Sequence, residues 1–146
     1  MSWAETLYLS KIIKSSRNLV ASDEAIYRVA ESFNKILSAG STRNYFLPKR
    51  IKLKTSGSVR FTFDGYKTRS GAASFRIYKN NTLVSETSLP QGIKSLKTDV
   101  NVNVGDELSF SLYLNANSYS ADGFLENLIL CARMVDLSVF SIKDDS

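Results

Sequence analysis

Histidine is absent from the 146-residue chain, and cysteine occurs once, at Cys131. Without histidine there is no Ser-His-Asp or Cys-His nucleophile, no general base of the usual kind near neutral pH, and none of the commonest metal ligand. A lone cysteine excludes an intramolecular disulfide and any Cys-x-x-Cys zinc site. Long hydrophobic runs are missing too: nothing approaches the roughly 18 apolar residues of a membrane span, and no basic segment followed by an apolar run marks a signal peptide. These absences predict cytoplasmic synthesis without a signal peptide, no membrane insertion, no cofactor, no metal and no catalysis. The formal charge of +5 is modest for this length and speaks mainly to solubility.

What the chain does have is alternation. From Ser95 to Asn115, Leu96, Thr98, Val100, Val102 and Val104 fall on one side of an extended chain, and Leu108, Phe110, Leu112 and Leu114 repeat the pattern after Gly105-Asp106. A period of two describes half-buried strands on either side of a tight turn. Ile51 to Thr55 and Val59 to Phe63 alternate as well, and Ala73 to Tyr78 meets Leu83 to Thr87 across Asn80-Asn81, a pair suited to a two-residue hairpin turn. Phe124 to Met134 is apolar on both faces around Leu128 to Ala132, as in a central strand, and Leu137, Val139 and Phe140 suggest one more edge strand. The expectation for residues 41–146 is an antiparallel two-sheet β-sandwich of jelly-roll type, stable without disulfide or metal.

The first 40 residues read differently. Ser2-Trp3-Ala4-Glu5 has the form of a capping box, and Trp3, Leu7, Tyr8, Leu9, Ile12 and Ile13 surround most of a short helix. Ser22 is placed to cap a second helix whose stripe is Ile26, Val29, Ala30, Phe33, Ile36 and Leu37, with Gly40 as its stop. The prediction is a helical segment over 1–40 for oligomerisation or docking. Its contacts would be Trp3, Leu7, Leu9, Ile12, Ile13, Ile26, Val29, Phe33, Ile36 and Leu37.

The opening MSWAETLYLSKII, the Gly stop, the segment NVNVGDELSFSLYLNANSYSADGFLENLILCARM and the closing GFLENLILCARMV resemble small tail- or fibre-associated proteins of phages and prophages of Gram-positive bacteria. That resemblance implies a structural or adsorption role in a virion, with phage structural proteins as partners and a homo-oligomer, such as a trimer, formed through the helices.

The alternative reading is a carbohydrate-binding module for a cell-surface or cell-wall glycan. Tyr113 lies opposite Leu112 and Leu114 in register, Tyr119 follows in a loop, and Asn115, Asn117 and Asp122 stand near them in sequence. An aromatic ring stacks on the C–H face of a sugar while amides and carboxylates bind hydroxyls; otherwise such tyrosines cover the sheet or meet a neighbouring subunit. Tyr66 and Tyr78 are also expected outside the core. Lys49, Arg50, Lys52, Lys54, Arg60, Lys67 and Arg69 form the densest basic set, but no nucleic-acid motif accompanies them, and outward lysines also defend exposed strands. Asp99, Asp106, Glu107, Asp122 and Glu126 lack the spacing of a calcium loop. Cys131 is expected to be a buried core residue.

Overall fold

The computed structural model describes residues 17–136. They form β1 (Arg17–Leu37), β2 (Ser41–Phe46), β3 (Ile51–Lys52), β4 (Gly57–Tyr66), β5 (Ala72–Lys79), β6 (Thr82–Ser88), β7 (Lys94–Val102), β8 (Glu107–Ala116) and β9 (Ala121–Asp136). The first sheet has the order β1-β9-β4-β7, and the second the order β2-β8-β5-β6 with β3 also beside β8. All pairings are antiparallel except a single parallel contact of Leu19 with Gly57. Because β1 pairs with β9, β2 with β8, β4 with β7 and β5 with β6, the chain behaves as one long hairpin rolled over on itself, the wiring of a jelly roll.

The core lies where the alternating registers of the two sheets meet. Leu108, Phe110, Leu112 and Leu114 of β8 are fully buried, facing Val59, Phe61 and Phe63 of β4 and Leu125, Leu128 and Leu130 of β9. Phe61 and Phe110 meet edge to face at 5.1 Å, and Phe63 and Phe75 are tilted at 4.7 Å, so ring pairs tie the sheets together. Each such side chain contributes about 1.5–3 kcal/mol by leaving water, which is why no disulfide is needed. Val100 and Val102 are buried as expected, but Val104 is 65% exposed. β7 and β8 also belong to opposite sheets, so the turn at Gly105 and Asp106 is a crossing of the sandwich.

The helix expected from Ser22 to Gly40 is instead the greater part of β1, a correction with a definite cause. β1 follows β9 from Arg17 to Leu37, but its register shifts three times, between Val20 and Ala25, Ala25 and Tyr27, and Arg28 and Ala30. Each irregularity inserts or removes a residue from the alternation. Tyr27 and Val29 point inward together, and after the shifts Phe33, Lys35 and Leu37 do. Irregular twos and threes thereby imitate the helical three-and-four spacing. Ser22 accepts a hydrogen bond from the backbone N–H of Glu24 at 3.1 Å, a local turn inside the first irregularity that the sequence presents as a cap.

Two further expectations change with this one. The division at residue 40 falls in the turn from β1 to β2, where Gly40 has φ 111°, and β1 is integral to the first sheet. Val29 is buried, Ile26, Phe33 and Leu37 pack against the core, and only Ile36, at 57% exposure, is left well exposed of the five β1 residues assigned to oligomerisation. The first predicted helix, with Trp3, Leu7, Leu9, Ile12 and Ile13, and the edge strand at Leu137, Val139 and Phe140 lie outside the described residues. Among the described residues, no helix is long and apolar enough to cross a membrane.

Candidate functional site

The inward register of β8 fixes what its other side carries. Ser109, Ser111, Tyr113 and Asn115 face outward, and strand pairing sets residues of three further strands beside them. Tyr113 is opposite Asn44 on β2 and Ser74 on β5; Ser111 is opposite Phe46 and Arg76; Ser109 is opposite Tyr78. Arg76 is in turn opposite Glu86 on β6. One outer face therefore collects Asn44, Phe46, Arg76, Tyr78, Glu86, Tyr113 and Asn115.

These side chains form a linked ledge. The Phe46 and Tyr78 rings are 5.1 Å apart and tilted by 42°. Asn44 Nδ2 donates to the Tyr78 hydroxyl at 2.7 Å, while Asn44 Oδ1 is buried and meets no donor. The Arg76 guanidinium stacks 3.9 Å above the centre of Tyr113, and its Nε donates to Glu86 Oε2 at 2.9 Å. Ser109 and Ser111 are buried beneath this layer, whereas Phe46 stays 51% exposed. Burial pushes the Tyr78 phenol up, but the Ser111 hydroxyl, the Arg76 guanidinium and the Asn44 amide outweigh it and hold the phenol below its ordinary value. Burial likewise works against the Arg76 charge, and Glu86 and Tyr78 more than restore it.

The residues expected to form a glycan site are divided. Tyr113 belongs to the ledge, half-buried beneath Arg76, with Asn115 next in the same outward register. Asn115 Oδ1 accepts from the Asn117 N–H at 3.2 Å and shapes the loop that presents Tyr119, 65% exposed. Asp122 is only 1% exposed. It accepts from the N–H groups of Thr68 at 2.7 Å and Arg69 at 3.0 Å, from the Thr68 hydroxyl, and pairs with Arg69 Nε at 3.6 Å. Burial raises its pKa, and these donors together lower it below the usual carboxylate value. Asp122 thus anchors the loop after β4 and has no side left for a ligand.

Phe46, Asn44, Arg76 and Glu86 escaped the sequence reading. The outward register of Phe75-Arg76-Ile77-Tyr78 carried the signal for Arg76. Asn44-Tyr45-Phe46 precedes the first alternating run recognised in the sequence, at Ile51, although its aromatic pair suits a strand.

The outer face of the first sheet is built otherwise. A groove of about 600 Å³ is lined by Asp23, Thr62, Asp64, Ser95, Lys97 and Asn127, among others. Several of its polar groups are engaged: Asp23 accepts from Arg60 at 2.9 Å and lies 4.0 Å from Lys97 Nζ, and Ser95 donates to Asp64 at 2.9 Å; Arg60 also binds Asp99 at 2.8 Å. Tyr66 and Phe124 stack face to face, 4.7 Å apart and 6° from parallel, so each covers the other. Cys131 is buried on this side against Thr62, at 3.8 Å, outside the main core.

The basic set does not converge. Arg60 is on the first sheet, Lys52 on β3 of the second, Arg50 pairs with Glu107 at 2.8 Å, and Lys67 caps the Gly71 carbonyl at 3.0 Å. The acids are equally dispersed, and among the described residues no group of three or more Cys, Asp or Glu side chains stands close enough to hold a metal.

No protein-family model matches the chain, and no curated protein matches its sequence. Among solved structures it is similar to a carbohydrate binding module from Cellvibrio mixtus lichenase 5A in complex with cellotriose, at 13% identity and TM-score 0.37, covering 80% of this chain and 97% of that one. It is also similar to the C-terminal domain of EclA, a sugar-binding protein, at 7% identity and TM-score 0.37, covering 84% and 79%. A family 35 carbohydrate binding module from an environmental isolate gives 14% identity and TM-score 0.33, covering 81% and 77%. These likenesses are too loose to transfer a role.

Proposed function

We propose that the chain is a non-catalytic glycan-binding module and that its binding face is the outer surface of the second sheet. The observation that supports this most is the ledge of Phe46, Tyr78 and Tyr113 interleaved with Asn44, Arg76 and Glu86. A pyranose has an apolar C–H face and a rim of hydroxyls. It is met by aromatic rings that exclude water and by planar amide, guanidinium and carboxylate groups that bind neighbouring hydroxyls. Here both sets lie on rigid strands, so little ordering is required on binding.

The virion role implied by the sequence resemblance relied on helices that assemble the protein. The second of them is β1, and no feature of the described residues favours that role over glycan binding.

Retention of the whole chain on a panel of insoluble and gel-embedded polysaccharides tests the reading. Phe46→Ala and Tyr113→Ala are each expected to weaken retention several-fold to about tenfold, the size of one lost aromatic contact. Their urea midpoints should stay near that of the parent. Retention unchanged in both variants would place the site elsewhere, and no retention on any polysaccharide would refute the function.

A further inference from the structure

β2 is the edge strand of the second sheet, and its alternation serves two surfaces. Asn44 and Phe46 point to the ledge. Arg43 and Tyr45 point the other way, into the open seam between β2 and β1, which is itself the edge of the first sheet. Lys35 of β1 reaches across that seam, its Nζ 5.5 Å from the centre of the Tyr45 ring and 5.3 Å from that of Phe33. The Arg43 guanidinium lies 5.0 Å from the same Tyr45 ring. Further along β1, Lys49 sits 5.4 Å over Tyr27.

Lys35, Arg43 and Lys49 have no carboxylate partner among the described residues, whereas Arg50, Arg60, Arg69 and Arg76 all do. Lys35 and Arg43 therefore place two positive charges 5.5 and 5.0 Å from the centre of one ring, with no acid to offset them, and raise the positive potential along this edge. An anionic group bound there would be attracted by both. A charged residue in the inward register of an edge strand also blocks edge pairing, but that defence does not require two cations against the same tyrosine.

We infer that the glycan taken by the ledge is acidic, and that Lys35 and Arg43, with Lys49 beyond them, hold its carboxylate or phosphate groups where the chain leaves the sheet over β2. This inference rests on the glycan-binding reading above. A single-stranded nucleic acid is the poorer occupant, because Tyr27 is buried and Tyr45 only partly exposed, which leaves little ring face along this edge for successive bases to stack on.

Affinity electrophoresis of the whole chain at low salt would use two acidic polymers, polygalacturonate and phosphomannan, each beside its neutral counterpart, the methyl ester and unphosphorylated mannan. The parent is expected to favour an acidic polymer by about 3- to 10-fold, consistent with a few exposed ion pairs, and which polymer it favours identifies the anion. Lys35→Gln with Arg43→Gln should remove the preference and leave retention on the neutral polymer unchanged. Added NaCl should remove it from the parent in the same way. Equal retention of acidic and neutral forms by the parent would overturn the inference while leaving the glycan-binding face in place. A preference that survives in the double variant, or equal retention on a thymidine homopolymer, would also overturn it. Failure to retain any of these polymers by a parent that is retained on another polysaccharide of the panel would overturn the inference alone, and failure on the whole panel would remove both readings.

Discussion

The two outer faces of this sandwich are made by the same rule and end in different states. On both, alternate residues of long strands point away from a shared core. On the first sheet they neutralise one another: Arg60 is held between Asp99 and Asp23, and Tyr66 and Phe124 hide each other's rings. On the second sheet Phe46 and Tyr78 lie side by side and tilted, Phe46 half exposed, while Tyr113 lies under the Arg76 guanidinium, with hydrogen-bonding groups fixed among them. A face whose aromatic surfaces are stacked on each other has little left to offer a sugar. A face that spreads them does.

The largest expected disturbance tests whether the first sheet acts as scaffold. Gly57 has φ 136°, and a Cβ there would run into the backbone of Leu19 at the parallel contact of β1 with β4. Gly57→Ala should cost about 3 kcal/mol or more, read as a fall in the urea midpoint. Glycan binding should persist in whatever fraction remains folded.

Next in size is the loop anchored by Asp122. Asp122→Asn should cost about 2–3 kcal/mol at neutral pH, because a buried charged acceptor of several hydrogen bonds is replaced by a neutral one. The folded-state pKa of Asp122 lies below the ordinary 3.8, so its contribution is complete above that value and is lost as the pH falls through the lowered one. Asp106 is lowered in the same direction, by the Asn103 N–H first and the Asn80 amide second. Thermal unfolding followed from pH 7 to pH 2 should therefore show a steep acid limb below about pH 4, less steep in Asp122→Asn.

The smallest expected effect compares two arginines. Arg60→Gln on the first sheet should leave polysaccharide retention unchanged, since its partners are exposed carboxylates on the face opposite the ledge. Arg76→Gln on the second should weaken retention a few-fold, through loss of its stacking on Tyr113. Equal losses in both would erase the distinction between the faces.

Much of the core could be read from the chain alone. The alternation of β8 named four buried residues, and the Asn80-Asn81 turn, with φ 52° and 68°, was visible as a hairpin signal. β1 was not legible, because its register irregularities depend on β9 and broke a period of two into something resembling three and four. The ledge was half legible. Tyr78 and Tyr113 could be assigned an outward register, but their partners could not: Asn44 and Tyr78 are 34 residues apart, and only the strand order brings them together. Asp122 was misread for the same reason, since Thr68 and Arg69, more than fifty residues earlier, consume its lone pairs.

The most direct measurement sets the faces against each other in one titration series, on whichever polysaccharide the parent retains best. Phe46→Ala with Tyr113→Ala opens the ledge of the second sheet, and Tyr66→Ala with Phe124→Ala opens the stacked pair of the first. The ledge pair is expected to abolish measurable retention while the stacked pair changes it less than twofold, with both proteins folded by far-UV circular dichroism. Retention that survives the ledge pair and fails in the stacked pair would contradict the account and move the binding face to the first sheet.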